Sequence, residues 1–178
     1  AATRDKLNQP YGDLFVIDLQ SITSMDVSDR GISDITGLEY CTNLSRIDLS
    51  NNSIVNLDAL ALMHDPLAGT KLRDVNLANN QISDITPLRE LNQIKILNLS
   101  GNRIRDLSVF RRDSGSYRVQ VLDLSDNGIS DLSPLGSLTD ISLLMLADNL
   151  ISDISPLMKV RGLALGDSVD LYGNPLDE

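Results

Sequence analysis

The sequence predicts an α/β-type repeat solenoid, a stack of similar coils whose short strands form one parallel β-sheet. Three observations predict this fold class. One multi-position pattern recurs along most of the 178 residues, part of it alternates apolar and polar residues, and the composition does not suit long helices. We therefore expect a fold built from about seven coils, the last of them truncated.

The recurring pattern reads L-x-x-L-x-L-x-x-N-x-I-x-x-I/L and occupies 44–57, 72–85, 94–107, 119–132 and 141–154. An atypical copy at 22–35 has Arg30 at the Asn position, and a truncated copy lies at 169–176. From Arg30 onward this position recurs after 22, 28, 22, 25, 22 and 25 residues. We expect the amide of each anchor Asn to satisfy backbone groups of adjacent coils. The anchor residues are Asn52, Asn80, Asn102, Asn127, Asn149 and Asn174.

The first half of each copy alternates as a half-buried strand does. In 44–49 the alternation turns Ile47 and Leu49 inward and Arg46 and Asp48 outward. One such strand cannot bury itself, so stacked copies must share a core with the returning segments. In this copy the returning segment offers Ile54, Leu57 and Leu60.

The composition supports short turns and disfavours several functions. The chain has 22 Asp and 31 Leu but three Glu, and Asp favours turns and caps whereas Glu favours helices. A net charge of −10 disfavours nucleic acids and anionic membranes. No apolar run is long enough for membrane insertion. Cys41 is the single cysteine, expected in the core, and we predict neither a cofactor nor a metal site.

Asp residues near the end of five copies are predicted to be structural. Each stands two residues after an inward Ile, where its carboxylate can accept local N–H groups and begin a tight turn. Several are followed by a Pro that fixes φ. These residues are Asp34, Asp84, Asp106, Asp131 and Asp153.

On these motifs the chain resembles the leucine-rich repeat family over residues 22–176. The 22-residue spacing and the I-S/T-D-I-S/T-P-L units are similar to the short subtype of bacterial internalin-like proteins and of a eukaryotic phosphatase-regulating subunit. The resemblance implies a right-handed arc with a concave parallel sheet and with turns and 3₁₀ segments on the convex side. Such a concave sheet would present an array of outward side chains, about 4.8 Å apart between neighbouring strands, on which we expect a protein ligand to bind.

The chain is predicted to be one structural domain with a cap. Residues 1–21 lack the repeat and are interpreted as an N-terminal cap, with a short helix over 3–7 and apolar cover from Leu14, Phe15, Ile17 and Leu19. Residues 22–178 form the solenoid. Because LYGNPLDE offers nothing to seal the last coil, we expect the native chain to continue.

The outward rows of the sheet contain the candidate binding site. Apolar residues occupy outward positions where a solvated sheet would be polar, and exposed apolar patches with polar rims are typical of partner sites. We predict ligand contact at Ile96, Val121, Leu143 and Met145, rimmed by Asp123, Asp126 and Asp148, with Tyr172 nearby. The alternative is that these apolar residues reflect β-propensity or are covered by neighbours in the sheet.

An insertion groups basic residues on an otherwise acidic chain. Arg111, Arg112, Tyr117 and Arg118 suggest an edge contact for an acidic partner or glycan. The alternative is local neutralisation of Asp106 and Asp113.

The sequence therefore predicts a non-catalytic recognition module, monomeric as an isolated domain. His64 is the single histidine, and no nucleophile elbow or phosphate-binding loop is present. The internalin-like units favour a bacterial surface or secreted protein, extracellular or in the cell envelope. The alternative is a cytoplasmic scaffold or regulatory subunit resembling the phosphatase-associated relatives.

Overall fold

A computed structural model describes residues 15–63, 71–111 and 117–177 of the chain. Within these ranges seven three-residue strands form one parallel sheet in the order β1 to β7, so each coil pairs with the coils before and after it. The predicted solenoid is therefore confirmed. The strands are β1 (Ser24–Asp26), β2 (Arg46–Asp48), β3 (Asp74–Asn76), β4 (Ile96–Asn98), β5 (Val121–Asp123), β6 (Leu143–Met145) and β7 (Ser168–Asp170).

Short helical segments return the chain on the side opposite the sheet. Two are α-helical, α1 (Val16–Gln20) and α2 (Asp58–Ala61). Five are 3₁₀ turns: η1 (Leu38–Tyr40), η2 (Thr86–Glu90), η3 (Ser108–Phe110), η4 (Ser133–Ser137) and η5 (Ser155–Lys159). No helix in the described part of the chain is long and apolar enough to cross a membrane.

One continuous core lies between the sheet and the returning segments. The middle residue of each strand from β1 to β6 is buried, as Ile47 is in β2, and Ile54, Leu57 and Leu60 close the coil from the opposite side. Burial of each such side chain contributes roughly 1.5–3 kcal/mol before the entropy cost of ordering it. Cys41 is also buried, as predicted, and burial raises the pKa of its thiol, with a smaller effect from the charge of Glu39.

Each anchor Asn joins its own coil to the preceding one. The Oδ1 atom of Asn80 accepts the N–H of Ile54 from the preceding coil at 3.0 Å. Its Nδ2 atom donates to Leu49 O at 3.0 Å in that coil and to Leu77 O at 3.1 Å in its own. The same bonds between coils recur at Asn52, Asn102, Asn127, Asn149 and Asn174.

The residue before each anchor position adopts the left-handed conformation, which the sequence analysis did not identify. Its φ lies between 51° and 72° in all seven described coils, so the chain turns sharply as it leaves each strand. Asn, Asp and Gly are the residue types that tolerate this conformation best. The seven residues are Asp29, Asn51, Asn79, Gly101, Asp126, Asp148 and Gly173.

The five predicted turn Asp residues each accept the N–H of the residue two positions later. Asp84 Oδ1, for example, accepts Thr86 N at 2.8 Å and the Thr86 hydroxyl at 2.7 Å. Hydrogen bonds of this kind hold the pKa of the carboxyl below its ordinary value at Asp84, and likewise at Asp34, Asp131 and Asp153. Asp106 makes the same bonds to Ser108. These carboxylates therefore stabilise the start of the convex segments.

The two ends of the solenoid differ from its middle. At the first coil, Leu19 of α1 packs against the core, whereas Phe15 and Ile17 are exposed and so do not supply the cover expected of them. The expected helix over 3–7 and Leu14 lie outside the described residues. In the last coil Leu176 is 41% exposed, although the equivalent Ile151 of the preceding coil is fully buried.

Candidate protein-binding face

Two rows of outward side chains cross the sheet, one from the first residue and one from the last residue of each strand. The register of the paired strands aligns both rows without a shift from β1 to β7. The first row runs Ser24, Arg46, Asp74, Ile96, Val121, Leu143 and Ser168. The second row runs Asp26, Asp48, Asn76, Asn98, Asp123, Met145 and Asp170.

Four apolar residues lie together on the half of this face nearer the C-terminus, and we call Ile96, Val121, Leu143 and Met145 the apolar strip. The first three are direct neighbours in the first row of β4, β5 and β6. Ile96 is 43% exposed and the other three are half-buried. With about 4.8 Å between strands, the first-row part of the strip spans roughly 10 Å. The strip is thus partly covered by its own neighbours and partly open to solvent.

The half of the face nearer the N-terminus satisfies its charges internally. Arg46 Nε lies 3.0 Å from Asp74 Oδ2, and Asn76 Nδ2 donates to Asp48 Oδ2 at 3.0 Å. At the left-handed positions beside these rows, Asn79 donates to Asn51 at 2.8 Å. Such cross-strand pairs hold side chains in place, and each exposed pair is worth at most about 1 kcal/mol.

The second row also has a structural role that the sequence analysis did not assign. In six of the seven described coils its carboxylate or amide oxygen accepts the N–H of the residue two positions later, as Asp123 does from Ser125 at 3.0 Å. Met145 stands in the seventh coil, and its thioether is only a weak acceptor. The second-row acids are therefore parts of the turn that ends each strand.

Three acids lie beside the apolar strip where its strands end. Asp123 adjoins Met145 in the second row, whereas Asp126 and Asp148 follow in the left-handed turns and are exposed. Asp126 N donates to Ala147 O, and Asp148 N donates to Tyr172 O. The backbone hydrogen bonds between neighbouring coils therefore continue past the strands to these two acids. Among the described residues, none of the three acids forms an ion pair within 4 Å.

Tyr172 lies in the last coil, two residues after Asp170 of the second row. Its side chain is 79% exposed, and its N–H is held by Asp170 Oδ1 at 3.0 Å. The ring is therefore accessible next to the acidic margin of the strip.

The predicted basic edge is only partly present. Tyr117 is 3% exposed, its hydroxyl lies 2.9 Å from Val109 O, and its ring meets Phe110 edge-on at 5.4 Å. The edge contact expected of Tyr117 is therefore wrong, because the aromatic ring is part of the core. Arg111 and Arg118 are exposed, and Arg111 lies near Ser133 and helps to lower the pKa of Asp131. Arg112 is outside the described residues.

Metal-binding groups are not brought together in the part of the chain that the structure describes. No cluster of three or more His, Cys, Asp or Glu side chains suitable for a metal occurs there. His64 lies outside that part. The chemistry of the described face is thus that of an apolar strip with an acidic margin.

Comparisons with known proteins agree with this architecture. The family described as Leucine Rich repeats (2 copies) matches residues 70–112 and 118–157. An internalin of Listeria monocytogenes (inlF) has a similar structure, with a TM-score of 0.75 and 25% identity over 99% of this chain and 56% of the other. Internalin C2 of the same species gives a TM-score of 0.70 and 27% identity over 99% and 84%.

A curated relative comes from rice. The acidic leucine-rich nuclear phosphoprotein 32-related protein 1 of Oryza sativa is 32% identical over 81 residues, or 45% of this chain. The chain spans 16% of that relative and 56% of the first internalin. Leucine-rich repeat proteins are generally non-catalytic modules for protein interaction. The repeat pattern, the seven-stranded sheet and these similarities together identify the chain as a leucine-rich repeat protein of internalin-like type.

Proposed function

We propose that the chain is a non-catalytic recognition module that binds a protein ligand on its concave face, with the apolar strip as anchor. The observation that carries the proposal is the contiguous placement of Ile96, Val121 and Leu143 on an outward row. A few well-packed, desolvated residues near the centre of a contact, surrounded by a polar rim, supply most of the affinity in protein interfaces. Tyr172 and the three acids form that rim.

Capture of proteins by the immobilised chain tests this proposal. The Leu143→Asp variant should lose a protein that the wild-type chain retains, because it places a charge in the anchor. Val55→Asp is the matched control, since Val55 is exposed and lies outside the two concave rows. Melting curves should show that both variants remain folded. Equal retention by Leu143→Asp and by the wild-type chain would contradict the proposal.

The similarity to internalins favours a module of a larger bacterial surface or secreted protein. In this proposal residues 22–178 are one solenoid domain, residues 1–21 cap it, and the isolated domain is monomeric. Fractionation of cells that express the complete gene tests the location, which should be extracellular or in the envelope.

A second candidate is an intracellular scaffold or regulatory subunit. The similarity to a rice protein whose name places it in the nucleus favours it. Recovery of the complete gene product from the cell interior would support this candidate and contradict the surface location. Both candidates use the same concave face, so the Leu143→Asp test applies to either.

A further inference from the structure

The polarity of the concave face changes along the strands that carry the apolar strip. Lys95 and Gln120 precede β4 and β5 and are exposed. The strip follows, and the carboxylates of Asp126 and Asp148 stand where the strands end. A partner seated on the strip therefore meets negative charge along one of its two sides.

These carboxylates differ from the acids of β2 and β3. Asp74 has Arg46 as its partner, and Asp48 accepts a hydrogen bond from Asn76. Within the described residues, Asp126 and Asp148 form no ion pair, and the chain carries a net charge of −10. A cationic partner would complete these contacts and would be steered to the face by the field of the whole protein.

The spacing of the strip matches the surface of a helix. Neighbouring first-row residues are about 4.8 Å apart, whereas residues three or four apart on a helix have Cβ atoms roughly 5–6 Å apart. Side chains on one face of a strand repeat only every 6.6 Å or so. A helix laid across β4, β5 and β6 can thus place one apolar residue over each of Ile96, Val121 and Leu143. Its next row of side chains would lie over Asp123, Asp126 and Asp148.

We propose that the ligand of the concave face presents a basic amphipathic helix, with an apolar stripe on the strip and Lys or Arg along the flank that faces Asp126 and Asp148. This inference rests on the proposed function and specifies the chemistry of its partner. An apolar helix face in a groove is a general mode of peptide recognition.

Two designed 18-residue peptides test the inference, and their binding is measured by fluorescence anisotropy with the full chain. Both carry the same Leu stripe, and one has Lys and the other Glu along the flank. The Lys peptide should bind, and the Glu peptide should bind at least tenfold more weakly. The variant Asp126→Asn/Asp148→Asn should weaken the Lys peptide by about tenfold at low salt, because each exposed charge contact is worth up to a factor of about five.

Controls separate this contact from general attraction to an acidic protein. Asp29→Asn occupies the same left-handed position in the first coil and should change binding less than twofold. Leu143→Asp should abolish binding of the Lys peptide. The inference is overturned by equal binding of the two peptides, by no effect of neutralising Asp126 and Asp148, or by full binding to Leu143→Asp. If a captured protein depends on Leu143 while neither peptide binds, the proposed function stands and the basic helix is wrong.

Discussion

Replacement of Asn80 by Ala tests whether the anchor Asn residues hold the coils together. Asn80 is 8% exposed, accepts the N–H of Ile54 at 3.0 Å and donates to Leu49 O and Leu77 O at 3.0 and 3.1 Å. The variant leaves the Ile54 N–H and three carbonyls, those of Leu49, Leu77 and Ala78, without this partner in a buried region. Because Nδ2 has two hydrogens to share among the carbonyls, this amounts to a loss of about three bonds. At about 1 kcal/mol for each lost bond, we expect a loss of roughly 3 kcal/mol in the free energy of unfolding.

Urea unfolding followed by circular dichroism measures this loss, and hydrogen exchange at Ile54 locates it. For a chain of this size 3 kcal/mol corresponds to about 6–12 °C in melting temperature. Asn56→Ala is the control, because exposed Asn56 loses one bond to the backbone of Asp58 and should cost about 1 kcal/mol or less. Equal destabilisation by the two variants would refute the reasoning. So would unchanged protection of the Ile54 amide in Asn80→Ala.

Three further predictions concern other parts of the solenoid. Gly101→Ala should destabilise the chain by about 1–2 kcal/mol, because φ is positive there and the new Cβ would meet the Asn79 amide, whereas Gly136→Ala should be tolerated in urea unfolding. Cys41 should react slowly with a thiol reagent in the native state and quickly in denaturant; fast native reaction would contradict its burial. The free energy of unfolding should fall as pH drops below about 4. Four turn carboxyls have lower pKa values in the folded chain than in the unfolded chain, so the stability that they add is complete above the unfolded pKa and is lost as pH falls through the folded pKa. The urea midpoint between pH 7 and 3 should depend less on pH when Asn replaces four carboxyls, those of Asp34, Asp84, Asp131 and Asp153.

Most of the fold could be predicted because its determinants are local and repeated. The alternation in 44–49 fixed which side chains point inward, and the sevenfold repeat required the strands to stack in parallel. Register followed from the same repeat, since aligned copies must place aligned residues side by side. Turn chemistry at Asp84 was also readable, because a carboxylate two residues before Thr86 has a short-range acceptor role.

Features that depend on the local backbone conformation of a segment could not be predicted from the repeat pattern. Tyr117 lies in an inserted stretch outside the repeat, so no periodicity indicated that its ring joins the core beside Phe110. The left-handed turns were missed although a sequence signal exists for them. Every residue before the anchor position is Asn, Asp or Gly, the types that favour positive φ. The bonds of the second-row acids to the turn depend on that same geometry, so the outward position of Asp48 or Asp123 does not by itself indicate them.

Met145 lacks the turn hydrogen bond that the other second-row residues make, and it also belongs to the proposed binding site. Six of the seven described coils place an oxygen at this position to accept an N–H two residues later, and a thioether cannot replace it well. Departures from a local structural rule concentrate at functional sites, where binding offsets the loss of stability. Met145→Asn should therefore leave the unfolding free energy within about 1 kcal/mol, because a turn hydrogen bond replaces a half-buried apolar contact. The same variant should weaken the Lys peptide severalfold in the anisotropy assay. A large loss of stability with unchanged binding would mean that Met145 serves the core of the solenoid and not the ligand.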